Sequence, residues 1–387
     1  MAVCDRIFER IDELNDEFVG FWEKVCNIES PTVYKEGVDR VSKCFIDVAE
    51  ARGWKVEVLR QEVSGDCVCI TMNSDSNARP VSTCAHIDTV HPVGSFGSPA
   101  VRIEGDRIYG PGVTDCKGGA VAALYAMCAL DDCGFDARPV MLLLQSDEEM
   151  NSIPSGKATI NYICEKAKNS IAHLNCESSR IGEYSAVLSR KGICRHHVEI
   201  KGKAAHASKC GLGASAIEEA AHIILDFEKY KDTGSLTFNC GTIHGGSAEN
   251  TVPDFCSFSV EFRFHNNDEY ERGMEILKRA TSTSRVEGTE ITLISKGVRP
   301  AMENSERNYE LLDKMNAIYA ENGLPTLIAR ASLGGSDAAE TTVAGIPCVD
   351  SIAVAGDLIH TVGEYAMIPT LAETAKRIAA VAYCITE

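Results

Sequence analysis

Apolar residues recur at helical spacing from the start of the chain. In "DRIFERIDELNDEFVGFWEKV", Ile7, Ile11, Leu14, Phe18, Phe21 and Val25 fall on one stripe, which predicts an amphipathic helix. A second helix is expected to run to about Arg52 and to stop at Gly53. The runs "WKVEVL", "CVCITM" and "PVSTCAH" read as strands, and a helix begins after "GPGVTDCKGG" and ends near Cys133 and Gly134. "MLLLQ" has the unbroken apolar character of a strand buried on both faces, and it leads directly into Asp147, Glu148 and Glu149. A helix through "GKATINYICEKAKN" and a strand at "IAHLNCE" follow. Strands alternating with helices predict an α/β fold with a mainly parallel sheet covered on both faces.

The pattern changes near Arg190. "GICRHHVEIKGKA" alternates like a half-exposed strand, "GASAIEEAAHIILDFEKY" is an amphipathic helix, and "LTFNCGTIHGG" and "CSFSVEFRF" alternate again. With a helix from Asn267 to about Thr283 and a strand at "EITLIS", this is the order of a small α+β unit with helices on one sheet face. After Arg299 the earlier vocabulary returns. At 387 residues the chain exceeds the usual size of a single core. The expected organisation is therefore one domain made of residues 1–189 and 298–387, interrupted by an inserted domain at 190–297.

Composition narrows the function. Hydrophobic residues make up 44% and charged residues 24%, which is ordinary for a globular protein, and the formal net charge of -18 opposes binding to nucleic acid or to an anionic membrane surface. Anionic small substrates stay open, because a local arginine or metal ion outweighs the global field. The N-terminus lacks a basic segment followed by an apolar one, and no apolar stretch approaches the roughly 20 residues of a membrane span. The 17 cysteines are scattered with no CxxC pair, and they read as reduced, buried hydrophobes of a cytoplasmic protein.

The chemistry lies at strand ends, where parallel α/β sheets build their sites. "CAHIDTV" supplies His86 and Asp88, "GVTDCKGG" supplies Asp115, "QSDEEM" supplies Glu148 and Glu149, "NCESS" supplies Glu177 and "DLIHTVGE" supplies His360. Carboxylates gathered in a cleft raise one another's pKa unless a cation neutralises them, so the set points to metal. His86 and Asp88, two apart on a strand, point the same way; this suits an imidazole ligand steadied by a carboxylate, although HxD alone also fits a surface ion pair. If the strand continues, Glu148 and Glu149 face opposite ways, so one can bind metal while the other reaches a reacting water.

The motifs "AHIDTV", "YGPGVTDCKGG", "LLLQSDEEMNS", "CESS", "GKAAHAS" and "IHTVGEY", in this order, resemble the zinc metallopeptidase family of glutamate carboxypeptidase, aminoacylase and acetylornithine deacetylase. "SAENTVPDFCSFSVEFRF", "KGVRPAM" and "GGSDAA" look most like the glutamate carboxypeptidases within it. The resemblance implies two zinc ions per subunit bridged by Asp115, with cobalt or manganese as substitutes. His86 and Glu177 would hold one ion, and Glu149 and His360 the other. Glu148 would be the general base, Asp88 would orient His86, and the Asp115–Cys116 peptide would be cis. The inserted domain resembles the family's lid, which also forms a homodimer interface. His206 would stabilise the oxyanion in the partner's site, and Asn250 and Arg263, with Gly334 and Gly335, would hold the substrate's carboxylate. Arg299 is a further candidate at the hinge. A planar guanidinium matches a carboxylate bidentately, which favours Arg263 over a lysine.

The implied reaction is hydrolysis of a peptide or N-acyl bond to an amino acid with a free α-carboxylate, glutamate first. The alternative is an aminoacylase or acetylornithine-deacetylase-like deacylase. A non-catalytic metal-binding scaffold is opposed by the intact Glu148, and a phosphoesterase by the absence of a GK[ST] loop. Three departures from the family pattern stand out: Cys116 after the bridging aspartate, Cys210 and Ser215 in "HASKCGLGASA", and "CESS" without the Glu-Pro pairing.

Overall fold

A computed structural model describes residues 4–386, which divide into two units. The first comprises the chain up to Ser189 together with Asn304–Ser332 and the segment from Ser336 onward; the second comprises Arg190–Glu303 and Leu333–Gly335. The second unit extends to Glu303 because Met302 still pairs with Arg190 beyond the end of the strand Glu290–Arg299.

In the first unit, the helix Asp5–Cys26 buries Ile7, Ile11, Leu14, Phe18, Trp22 and Val25. Trp22 takes the inner place that the spacing assigned to Phe21. Phe21 sits at the margin of the stripe, edge-on to Phe45 with centroids 5.3 Å apart. An eight-stranded sheet runs in the order Lys55–Leu59, Cys67–Met72, Val140–Gln145, Val81–His86, Ala172–Asn175, Cys348–Asp350, Ser185–Arg190, Ile328–Ser332. Its centre is parallel, from Val140–Gln145 through Cys348–Asp350, and its flanks include antiparallel pairs. The sheet is thus mixed rather than mainly parallel. Only residues 60–66 join the first two strands, too few for the crossover that parallel pairing needs.

The register aligns the strand ends. His86 lies opposite Gln145 and Cys84 opposite Asn175, so the residues that follow all leave the sheet at one edge. Against that edge lies the helix Lys117–Asp132, buried from Lys117 through Leu130 and rich in alanine. Its first turn explains the glycine pair of "DCKGG". A β-carbon on Gly118 would lie 2.3 Å from the Val113 carbonyl oxygen, and one on Gly119 would lie 2.0 Å from that of Cys176. The helix therefore rests on the backbone that leads into Glu177. Gly119→Ala is expected to lower stability by about 1–3 kcal/mol or more, read as a reduced urea midpoint. An unchanged midpoint would mean that the helix shifts without cost.

The second unit is a four-stranded antiparallel sheet in the order Thr237–Gly245, Phe255–Phe264, Gly192–Lys201, Glu290–Arg299. The helices Ala216–Glu228 and Asn267–Thr281 supply Ile223, Phe227, Ile276 and Leu277 to its core, among Phe238, Phe258 and Phe262 of the sheet. Thr237–Gly245 is an edge strand and is exposed over its second half. Among the described residues, no helix is long and apolar enough to cross a membrane.

Candidate metal centre

The aligned strand ends of the first unit bring His86, Asp88, Asp115, Glu148, Glu149, Glu177 and His360 together. Asp115 is central. One carboxylate oxygen lies 3.0 Å from His86 Nε2 and the other 3.1 Å from His360 Nε2. Glu177 Oε1 is 3.7 Å from His86 Nε2, and Glu149 Oε2 is 3.4 Å from His360 Nε2. The candidate ligands thus fall into two groups on either side of Asp115. The Asp115–Cys116 peptide is cis. Donor atoms of His86, Asp115 and Glu149 lie within 4.8 Å of one another, as do those of His86, Cys116 and Glu177. Such a set of imidazoles and carboxylates fits a divalent transition metal, and zinc among the candidates.

His86 is held from behind. Its Nδ1 is 3.0 Å from the Asp88 carbonyl oxygen and 3.4 Å from Asp88 Oδ1, which leaves Nε2 facing Asp115. The Asp88 carboxylate also accepts the backbone N–H groups of Glu148 and Glu149, both at 3.2 Å, and the Thr32 hydroxyl at 2.7 Å. These contacts correct the expectation of a continuing strand. The chain leaves the sheet after Gln145 and turns into a short 3-10 helix, Glu148–Met150. The two glutamates therefore diverge around a turn anchored by Asp88, rather than across a pleat.

Charge in the site is frustrated. Burial pushes the Glu149 carboxyl up to about 7 against the bond from His360, with the Asp115 charge adding to the rise. Burial raises Glu177 well above the carboxylate range, His86 opposes that, and Asp115 and Glu148 add to it. Asp115 itself is raised by burial, yet the bonds from His360 and His86 outweigh this and hold it low. His360 is pushed up to about 10 by Asp115 and Glu149. A cation among these groups would reverse the repulsion. If His360 and Glu149 are ligands, a cation would displace the His360 proton below about pH 10 and the Glu149 proton below about pH 7, so metal affinity is expected to rise with pH up to about 10, most steeply below about 7. Calorimetry in buffers of differing ionisation enthalpy should register proton release on metal uptake; affinity flat across that window would refute the assignment.

In the second unit, His206 and Asn250 are neighbours. His206 pairs with Thr251, and Ala207 N–H donates to the Asn250 carbonyl at 2.9 Å. His206 is exposed, and its Nδ1 accepts the Ser208 N–H at 3.2 Å, so the neutral ring carries its hydrogen on Nε2. Arg263, Arg299, Gly334 and Gly335 form a second group. Arg263 donates to Glu261 and to the Leu333 carbonyl, both at 2.8 Å, and Arg299 is buried with its Cδ 2.9 Å from where a Gly335 β-carbon would stand. Asn250 lies in the turn before the strand Phe255–Phe264, and Arg263 lies at that strand's far end. Eight residues of strand are about 26 Å at 3.3 Å per residue, so one carboxylate cannot touch both residues of the same chain.

Sequence reading missed Thr32 and Glu364. Thr32 steadies Asp88 through its hydroxyl, and Glu364 gathers backbone N–H groups around Asp115; such contacts leave no periodic signal.

A mixed sheet whose central strand ends gather imidazoles and carboxylates around one aspartate forms a candidate metal site. The comparisons support a metallohydrolase that cleaves amide bonds of amino acids, similar to M20 metallopeptidases. Residues 188–289 match the family described as a peptidase dimerisation domain. The chain is 28% identical to carboxypeptidase G2 of Pseudomonas sp. over 345 residues, covering 88% of this chain and 82% of that protein. It is 29% identical to acetylornithine deacetylase of Myxococcus xanthus over 259 residues, 60% of this chain and 65% of that protein. It shares its fold with the M20 family metallo-carboxypeptidase Sso-CP2 of Sulfolobus solfataricus, at TM-score 0.77 and 18% identity over 94% and 98% of the two chains.

Proposed function

We propose that this chain releases an amino acid with a free α-carboxylate, glutamate first, from a peptidyl or N-acyl partner, and that its centre holds two zinc ions bridged by Asp115. The observation that carries this is the two-armed contact of Asp115, with His86 on one oxygen and His360 on the other. His86 and Glu177 would hold one ion, and Glu149 and His360 the other. When bound, the pair supplies Lewis acidity and brings the pKa of water down toward neutrality. Glu148 takes the proton of the attacking water and returns it to the leaving nitrogen as general base and then general acid. Asp88 keeps His86 oriented and fixes the turn that presents Glu148. His206 donates from Nε2 to the oxyanion.

Asn250 and Arg263 would hold the substrate's carboxylate, Arg263 by its guanidinium, with Gly334 and Gly335 beside it and Arg299 behind Gly335. Because these two lie at opposite ends of one strand, they act together only if a second copy supplies His206 and Asn250. The exposed edge strand Thr237–Gly245, with Ile243 51% exposed and Leu225 63% exposed on the adjacent helix, supports homodimerisation through this unit. All 17 cysteines are free, which supports a reducing compartment such as the cytoplasm.

A second reading, an N-acyl amino acid deacylase, is favoured by the likeness to acetylornithine deacetylase. Elemental analysis of the purified chain, followed by a panel of dipeptides and N-acyl amino acids, tests both. Peptidyl glutamates cleaved fastest support the first reading, and small acyl groups support the second. A chain without divalent metal, or inert to the whole panel, would sink both.

A further inference from the structure

Glu364 is 1% exposed and makes an unusual set of contacts. One carboxylate oxygen accepts the backbone N–H of Thr114 at 2.9 Å and that of Asp115 at 3.1 Å. The other accepts the N–H of Gly112 at 3.2 Å and lies 3.0 Å from His91 Nε2. Three of its four contacts are thus to the loop that ends in Asp115, where Gly112 needs its positive φ of 76°. The surrounding backbone is joined to the same loop, with Gly110 N–H bonded to the Glu364 carbonyl and the Thr114 hydroxyl to the Tyr365 carbonyl at 2.7 Å. Glu364 lies four residues after His360, so one short segment carries a candidate ligand and also clamps the aspartate that this ligand faces.

We infer that Glu364 is a positioning residue: by gathering the N–H groups of the Asp115 loop, it fixes the Asp115 carboxylate midway between His86 and His360 and makes occupation of the two metal positions interdependent. The inference rests on the dinuclear reading above. A carboxylate holding three N–H groups and one imidazole is an acceptor at every contact, and no neutral side chain of its size repeats that. In Glu364→Gln, one oxygen still serves Thr114 and Asp115, but an NH₂ group meets the N–H of Gly112 and the imidazole of His91.

The test uses the full metal-loaded chain. Metal content is followed against increasing chelator, and cobalt(II) is then substituted and its absorption spectrum recorded. Glu364→Gln is expected to remain folded, to bind metal about 10–100-fold more weakly, and to show an altered cobalt spectrum. At saturating metal, kcat should fall while KM stays near that of the parent. Glu364→Asp, which keeps the charge but is one methylene shorter, should recover part of the affinity. A folded Glu364→Gln chain with the parent's metal affinity and cobalt spectrum overturns the inference and leaves the dinuclear reading standing. So does a failure of both variants to fold at saturating metal, because a purely structural role then accounts for the contacts. A parent chain that holds no divalent cation overturns the dinuclear reading and this inference with it.

Discussion

Glu148→Ala is expected to lower turnover by about 10²–10⁴-fold while metal content and melting temperature stay close to those of the parent. The reason lies in how the turn after Gln145 divides its carboxylates. Glu149 approaches His360 at 3.4 Å and is a candidate ligand, and Glu148 precedes it at the start of the same turn. Glu148 is 7% exposed, and its backbone N–H is bound to Asp88, the residue that also steadies His86. Its side chain is therefore carried on the same support as a candidate ligand, the rigidity that proton transfer in a fixed geometry requires. Loss of an interaction made only in the transition state lowers kcat and kcat/KM together. Glu148→Gln, nearly isosteric, should behave the same way. Near-normal turnover in a fully metallated Glu148→Ala chain would remove Glu148 from the role of base.

What the sequence disclosed divides along a physical line. The candidate ligands were legible because each ends an apolar run or stands in a glycine loop, where the two-residue and 3.6-residue periods break off and acidic or imidazole side chains appear at once. The orientation of Glu148 and Glu149 was not legible. It is set by Asp88, 60 residues away, whose carboxylate gathers two N–H groups and converts a strand end into a helical turn. Glu364 was hidden for a related reason: its partners are mostly backbone amides, which every residue but proline possesses and no side-chain pattern marks. The antiparallel flanks of the sheet depended on the length of one connection rather than on the character of the strands, which are apolar either way. In the second unit, alternation identified strands and core, but it left His206 and Asn250 as ordinary exposed polar residues. They were singled out only through the family resemblance, to which the structure adds their location at the end of a strand opposite Arg263.

That separation leads to the other large effect. His206→Ala is expected to lower turnover by about 10²–10³-fold, the usual cost of losing one oxyanion donor. Folding should be little changed, because the side chain is exposed and, among the described residues, its ring bonds only Ser208. An alanine variant alone does not say whose site His206 serves, so the informative measurement is subunit mixing. In the proposed homodimer, His206→Ala would remove the donor from both sites, and Glu148→Ala would remove the base from both. If each copy reaches across the interface, the mixed dimer contains one site with an intact Glu148 from one chain and an intact His206 from the other. Activity per mixed dimer should then approach half that of the parent dimer, from two parents that are each nearly inactive. If His206 served its own chain, every site in the mixture would stay defective. Verified mixed dimers without recovered activity would therefore exclude sharing across the interface, and Asn250 and Arg263 could no longer bind one carboxylate.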